Sequence, residues 1–277
     1  MTPQEKINQQ AQQRGLVKAS VQRELLSPKV VNNVGAILRD KDMADQFIRI
    51  ALGEITKNNK LAQCSPQSLI RAVYEAASLK LAINGILGHA YLVPFGGRSN
   101  QAQLIIGYRG FIDLAHRSGK IASITSDIIC ENELHSKSHF DYQKGTDEYI
   151  HHKPIIGDRG KPVAAYAVAK LITGGNQIEI LSEQEINLYR DKSSGWKAYQ
   201  SKLIKDCPWA DPLSLQWMWR KTAIRQLCKL IPQSPELVQA AVADELREFG
   251  VKNLAPITPA VEIIDEIDGL REPGNEG

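Results

Sequence analysis

Between His89 and Cys130 the chain reads strand, turn, strand, short helix, strand, and that order narrows the fold class more than any other feature. "HAYLVPF" (89–95) and "AQLIIGY" (102–108) are short, β-branched and aromatic runs separated by "GGRSNQ", which is turn chemistry. Pro94 cannot donate to a ladder, so it places its strand at a sheet edge or at a strand's end. "RGFIDLAHRSG" (109–119) has helical spacing and closes at Gly119, and "KIASITSDIIC" (120–130) returns as a strand. A second hairpin follows: "AAYAVAKLIT" (164–173), a Gly-Gly turn and "QIEILS" (177–182). Helices and hairpins come in blocks rather than in βαβ alternation. The expected class is therefore α+β, with antiparallel hairpins or a sheet packed against helices around a single core.

The flanks are helical. Met43, Phe47, Ile50, Ala51 and Ile55 recur at helical spacing over 42–57. Ser65-Pro66 is an N-cap serine with proline at the first helical position, opening a helix expected to run to about Leu81. Ser182 and Glu185 form a capping box that opens another. A strong helix is expected over 213–231, ended by Pro232, and a further one over 235–249. Residues 131–163 are polar and read as extended hairpins or a long excursion. Three regions result: a polar segment over 1–30, assigned an expected role in oligomerisation; a core over 31–232; and a C-terminal helix with an acidic tail over 233–277, an expected partner-binding region.

Charge is uneven along the chain. Residues 251–277 hold six acids and two bases, which leaves 32 bases and 25 acids in residues 1–250, a net charge of +7. A basic body with an acidic tail suits a polyanionic partner. No apolar run approaches the roughly 20 residues of a membrane helix, and the glutamine-rich N-terminus has no secretory h-region, so the expected compartment is the cytoplasm. Cys64, Cys130, Cys207 and Cys228 show no C-x-x-C spacing and read as buried, reduced thiols. His135 and His139 are four apart but lack the glutamate of a zinc-protease motif, so no metal is expected. There is no P-loop, no G-x-G-x-x-G, no G-x-S-x-G and no carboxylate cluster for a nuclease metal pair. A cofactor-free protein that is not an enzyme is the expectation.

Two stretches carry candidate binding chemistry. In "LIIGYRGFIDLAHRSGKIASI" (104–124), Tyr108 and Arg109 stand at a strand exit that becomes a helix N-terminus, where backbone amides attract phosphate. Arg117 and Lys120 follow. The same spacing also fits a plain strand–helix–strand unit with solvated charges. The second stretch, Arg190 to Lys229, holds nine bases, three acids and all four tryptophans of the chain. Lys221, Arg225 and Lys229 are four apart and form a ridge, while Trp217, Ile224, Cys228 and Ile231 fall on a neighbouring stripe expected to face the core. Bases interleaved with rings suit single-stranded nucleic acid, charge for phosphates and ring faces for bases. An amphipathic helix with a solvated basic face fits equally well.

With these residues in view, "LGHAYLVPFGGRSNQAQLIIGYRGFIDLAHRSGKIAS" and "WMWRKTAIRQLCKLIP" resemble two signature stretches of the RecT family of phage and prophage single-strand annealing proteins. The resemblance spans about residues 30–232. It implies an ATP-independent protein that binds single-stranded DNA, forms ring or filament homo-oligomers and pairs complementary strands into an annealed duplex. It also implies work beside a 5′–3′ exonuclease and contact with host single-strand-binding protein, the latter through the C-terminal region. On that basis Arg109, Arg117 and Lys120 are expected to form one wall of a DNA groove, and Lys197, Lys205, Arg220, Lys221 and Arg225 the other. Tyr108, Phe111 and Trp196 are the candidates for stacking on or separating bases. The alternatives are a passive single-strand-binding module, a metal-dependent nuclease and a structural assembly protein.

Overall fold

The structure, a computed structural model, describes residues 19–95, 100–232 and 234–248. The class is α+β, and the described residues divide into two compact units, one up to residue 106 and one from residue 107. The stretch read as one core, 31–232, runs through both.

In the first unit a helical segment over 19–25 is followed by α1 (Pro28–Leu38), α2 (Lys41–Lys57), α3 (Asn59–Ala62) and α4 (Pro66–Ser78). The starts are set by side-chain caps. Ser27, Asp40, Asn58 and Ser65 each accept a backbone N–H from the first turn of the following helix, and proline follows Ser27 and Ser65 at the first helical position. Helix α4 stops at Ser78, earlier than the expected Leu81, because the chain turns out of the helix and Lys80 takes a left-handed φ of 51°. Strands β1 (Ala90–Phe95) and β2 (Gln101–Ile106) pair antiparallel, Ala90 opposite Ile106 and Phe95 opposite Gln101. Of the turn between them, residues 96–99 lie outside the described residues. Leu92, Ala102, Leu104 and Ile106 point inward while Tyr91 and Val93 point out, the period of two that a one-sided ribbon requires. Helix α4 packs on β2, and the Ser68 hydroxyl accepts the Ala102 N–H at 2.9 Å.

The second unit begins with α5 (Tyr108–Arg117), then β3 (Ile121–Cys130), a 3-10 turn (Glu131–His135), the hairpin β4 (Phe140–Gln143) and β5 (Tyr149–His152), and β6 (Pro162–Leu171) and β7 (Asn176–Ser182). Helices α6 (Glu183–Lys192), α7 (Ser194–Gln200), α8 (Pro212–Leu227) and α9 (Pro235–Glu248) complete it. Gly119, at φ 68°, closes α5, and the capping box of Ser182 and Glu185 opens α6, both as expected. The sheet order is β3-β6-β7, antiparallel throughout. Its central strand has two unlike faces. Ala165, Ala167 and Ala169 are fully buried on one, and Tyr166 and Val168 join Ile129, Phe140 and Ile178 in an apolar cluster on the other. Helix α8 packs on this sheet. Ser126, paired with Ala167, sends its hydroxyl to the Tyr166 carbonyl at 2.6 Å and to within 3.4 Å of the Arg220 carbonyl, so the alanine face carries α8. Alanine methyls let a helix approach closely.

Beneath the β4–β5 hairpin lies a buried ionic network. Glu133 has no exposed surface. Its carboxylate accepts from Arg159 Nε at 2.7 Å, from the Cys130 N–H at 2.8 Å and from the Ile155 N–H at 3.1 Å, with His152 Nε2 3.3 Å away. Burial pushes its pKa up, but the bonds from Arg159, Cys130 and Ile155 outweigh burial and hold it at about 2. His152 Nδ1 lies 3.1 Å from the Tyr166 hydroxyl, whose pKa burial raises to about 12. The loop that delivers Arg159 turns at Gly160, where φ is 74° and a Cβ would sit 3.1 Å from Glu131 Cβ. Only glycine fits that turn without strain.

Candidate nucleic-acid interface

Helix α8 explains how the candidate surface is built. Asp211 caps it by accepting the Ser214 N–H, with Pro212 at the first position. Its buried residues begin only at Trp219 and run to Leu227, so its first two turns extend beyond the support of the sheet. Trp217 shares a face with Ile224 but sits on the unsupported part and is 50% exposed. This corrects the expectation that Trp217 packs into the core. Trp219 does so instead, at 5% exposure.

Trp217 covers Tyr108. The two rings are stacked, with centroids 5.7 Å apart and planes inclined by 21°. Tyr108 is the first residue of α5, with Gly107 at the N-cap, so the helix start presents the ring while Phe111 and Leu114 anchor the helix inside. The stack continues on both residues. The Arg220 guanidinium lies 4.9 Å from the Trp217 centroid, and that of Arg109 lies 5.9 Å from the Tyr108 centroid with its Nε donating to the Tyr108 hydroxyl at 3.2 Å. Arg220 also forms a tight ion pair with Asp127 on edge strand β3. The sequence places Tyr108 and Arg109 in one stretch and Arg220 in another; the fold brings them to one surface around Trp217.

A second stack lies on α6 and α7. The Arg190 guanidinium is 4.7 Å from the Trp196 centroid, and Trp196 stacks on Tyr199 at 5.6 Å. The Trp196 indole N–H is buried without a hydrogen-bond partner. Lys197 and Lys205 are exposed, as is Lys120, and Arg117 is paired with Asp113 one turn back on α5.

Two of the expected residues have their side chains inside the protein. Phe111 has no exposed surface, being the apolar anchor of α5. Arg225 is 3% exposed, and its Nη1 is 3.4 Å from Oδ2 of the equally buried Asp244 on α9. A buried guanidinium needs a buried counter-charge, and α9 supplies it. The basic ridge therefore reaches solvent only in part. Lys221 is half-buried, and burial pushes its ammonium pKa down, with Asp244 opposing and Arg225 adding to the shift. Lys229 is exposed. Reading the sequence missed Asp127 and Asp244, single acids on distant elements with no local pattern to mark them.

Among the described residues no three His, Cys, Asp or Glu side chains are grouped to hold a metal ion, the four cysteines are buried and form no disulfide, and no helix is long and apolar enough to cross a membrane.

Known proteins place the chain. The RecT family model matches residues 45–258, which include the Tyr108–Trp217 surface. The protein RecT of Escherichia coli (strain K12) is 36% identical over 225 residues, covering 79% of this chain and 77% of its own. The uncharacterized protein YqaK of Bacillus subtilis (strain 168) is 30% identical over 200 residues, covering 69% of this chain and 63% of its own. The chain belongs to the RecT family of DNA recombination and strand-annealing proteins.

Proposed function

We propose that the protein binds single-stranded DNA and anneals complementary strands without ATP, as a homo-oligomer along the DNA. The Tyr108–Trp217 stack, exposed at Trp217 and half-buried at Tyr108, carries this reading with its two guanidiniums. Rings offer faces or edges to bases without regard to sequence, and the exposed Arg109 beside them offers charge to the backbone. Arg117, Lys120, Lys197, Lys205 and Lys221 extend the charge, and the Arg190–Trp196–Tyr199 stack adds a second aromatic platform. Neutralising phosphates lowers the repulsion between strands, and the bases themselves then supply sequence specificity by pairing. A 5′–3′ exonuclease would expose the strand on which the protein loads, and host single-strand-binding protein would meet the C-terminal region. Phe111 and Arg225 take no direct part, because their side chains are inside. The protein works in the cytoplasm.

The test mixes the protein with one labelled oligonucleotide, then adds the complement, without nucleotide. Pairing faster than the protein-free control supports annealing. Tight binding with no acceleration means a passive single-strand-binding protein instead.

A further inference from the structure

The ion pair between Asp127 and Arg220 puts a carboxylate inside a surface built to meet a polyanion. A carboxylate there repels phosphate, so its presence calls for a role that outweighs the repulsion. Asp127 lies on the edge strand β3, beside Ser126, which ties the sheet to the α8 backbone at Arg220. Its Oδ1 also accepts the N–H of Ile128 at 2.8 Å, which fixes the carboxylate's direction. Arg220 is thereby held by its guanidinium at Asp127, on a backbone fixed within α8 and 3.4 Å from the Ser126 hydroxyl. In that position the guanidinium lies over the Trp217 ring, 4.9 Å from the centroid. Both members of the pair are mostly covered, with side-chain exposures of 24% for Arg220 and 20% for Asp127.

Resting on the reading of this surface as a DNA interface, we infer that Asp127 is a positioning residue that holds Arg220 on the Trp217 ring and withholds its guanidinium from phosphate. Arg220 then acts as part of the aromatic platform rather than as a backbone clamp. Backbone charge comes from the more exposed bases around it, such as Arg109 and Lys120. A guanidinium committed to an internal carboxylate releases no counterion when DNA binds, because it neutralises no phosphate. The pair thus biases the surface towards base contacts and away from salt-sensitive backbone contacts.

The experiment measures affinity for an unstructured single-stranded oligonucleotide across a salt series, with the full chain and Asp127→Asn, Arg220→Gln and Asp127→Asn/Arg220→Gln variants. Asp127→Asn should steepen the slope of log affinity against log salt by about 0.7, the contribution of one added phosphate contact on a single strand. The double variant should return the slope to the wild-type value. Arg220→Gln alone bares the Asp127 carboxylate and should weaken binding; Asp127→Asn/Arg220→Gln, which carries neither charge, should also bind more weakly than wild type, at the wild-type slope, and it keeps the test decisive if Asp127→Asn does not fold. Asp127→Glu, which keeps the charge, should keep the wild-type slope. An unchanged slope in Asp127→Asn, a steeper slope that persists in the double variant, or a slope below wild type in the double variant would each overturn the inference. The underlying site is tested separately, by comparing affinity for the oligonucleotide with that for an abasic strand of equal length. Trp217→Ala should reduce the preference for bases. If it does not, the reading of this surface fails, whatever the slopes show.

Discussion

Arg159 Nε donates to the carboxylate of Glu133 at 2.7 Å, and Glu133 is wholly buried beneath the β4–β5 hairpin. Its folded pKa of about 2 lies below the roughly 4.3 of an unfolded glutamate. The folded state therefore binds fewer protons at this group than the unfolded state does. Glu133 contributes its full stabilisation above about pH 5 and loses it as pH falls through about 2, a difference of about 3 kcal/mol. Glu133→Gln should lower the urea midpoint at pH 7 and flatten the loss of stability between pH 5 and 2. Parallel losses in wild type and variant over that range would assign the acid sensitivity to other groups.

Phe111 and Tyr108 are three residues apart on α5 but answer to different forces. Phe111→Ala should cost roughly 3–5 kcal/mol of stability through the cavity it leaves. Tyr108→Ala should change the melting temperature little and weaken single-stranded DNA binding. Melting and binding curves on both variants check this, and a reversed pattern would mean that α5 is anchored the other way round.

Arg225 and Asp244 join α8 to α9 through a buried pair. Asp244→Ala should destabilise by roughly 3–5 kcal/mol, because it breaks a buried ion pair by removing one of its members. Replacing both by Leu and Met should recover most of that loss. Chemical denaturation of the single and double variants tests it. A double variant no better than Asp244→Ala would show that packing, and not charge, dominates the joint.

Trp217→Ala removes an exposed ring and should leave the fold in place. It should weaken binding of single-stranded DNA by roughly 1–3 kcal/mol, about 5- to 150-fold, if one base stacks there. Fluorescence anisotropy with a labelled oligonucleotide reads the change. Retained wild-type affinity would remove the ring from the interface.

Much of this architecture was legible in the residues. The period of two in "AQLIIGY", the cap-and-proline at Ser65-Pro66 and the Ser182–Glu185 capping box each act within a few residues, so local pattern finds them. Trp217 was not legible. Its spacing from Ile224 puts it on the helix's inner face, but spacing does not reveal where the sheet beneath the helix ends. The same limit applies to Arg225. A basic residue four from Lys221 looks like part of a solvated ridge until α9 folds back and places Asp244 against it. Asp127 pairs with Arg220 from far along the chain, and no local signal links them.

The alanine face of β6 has a consequence for the rings at the surface. Ala165, Ala167 and Ala169 have no access to solvent, yet they set how closely α8 seats on the sheet. Helix α8 carries Trp217, whose ring stacks on Tyr108 at 5.7 Å. The core acts as a spacer calibrated by methyl groups. A valine at Ala167 would lift the helix and open the ring stack, so a substitution that never touches nucleic acid would read out as a change in grip. The tuning of this surface is stored partly in its smallest and most hidden side chains.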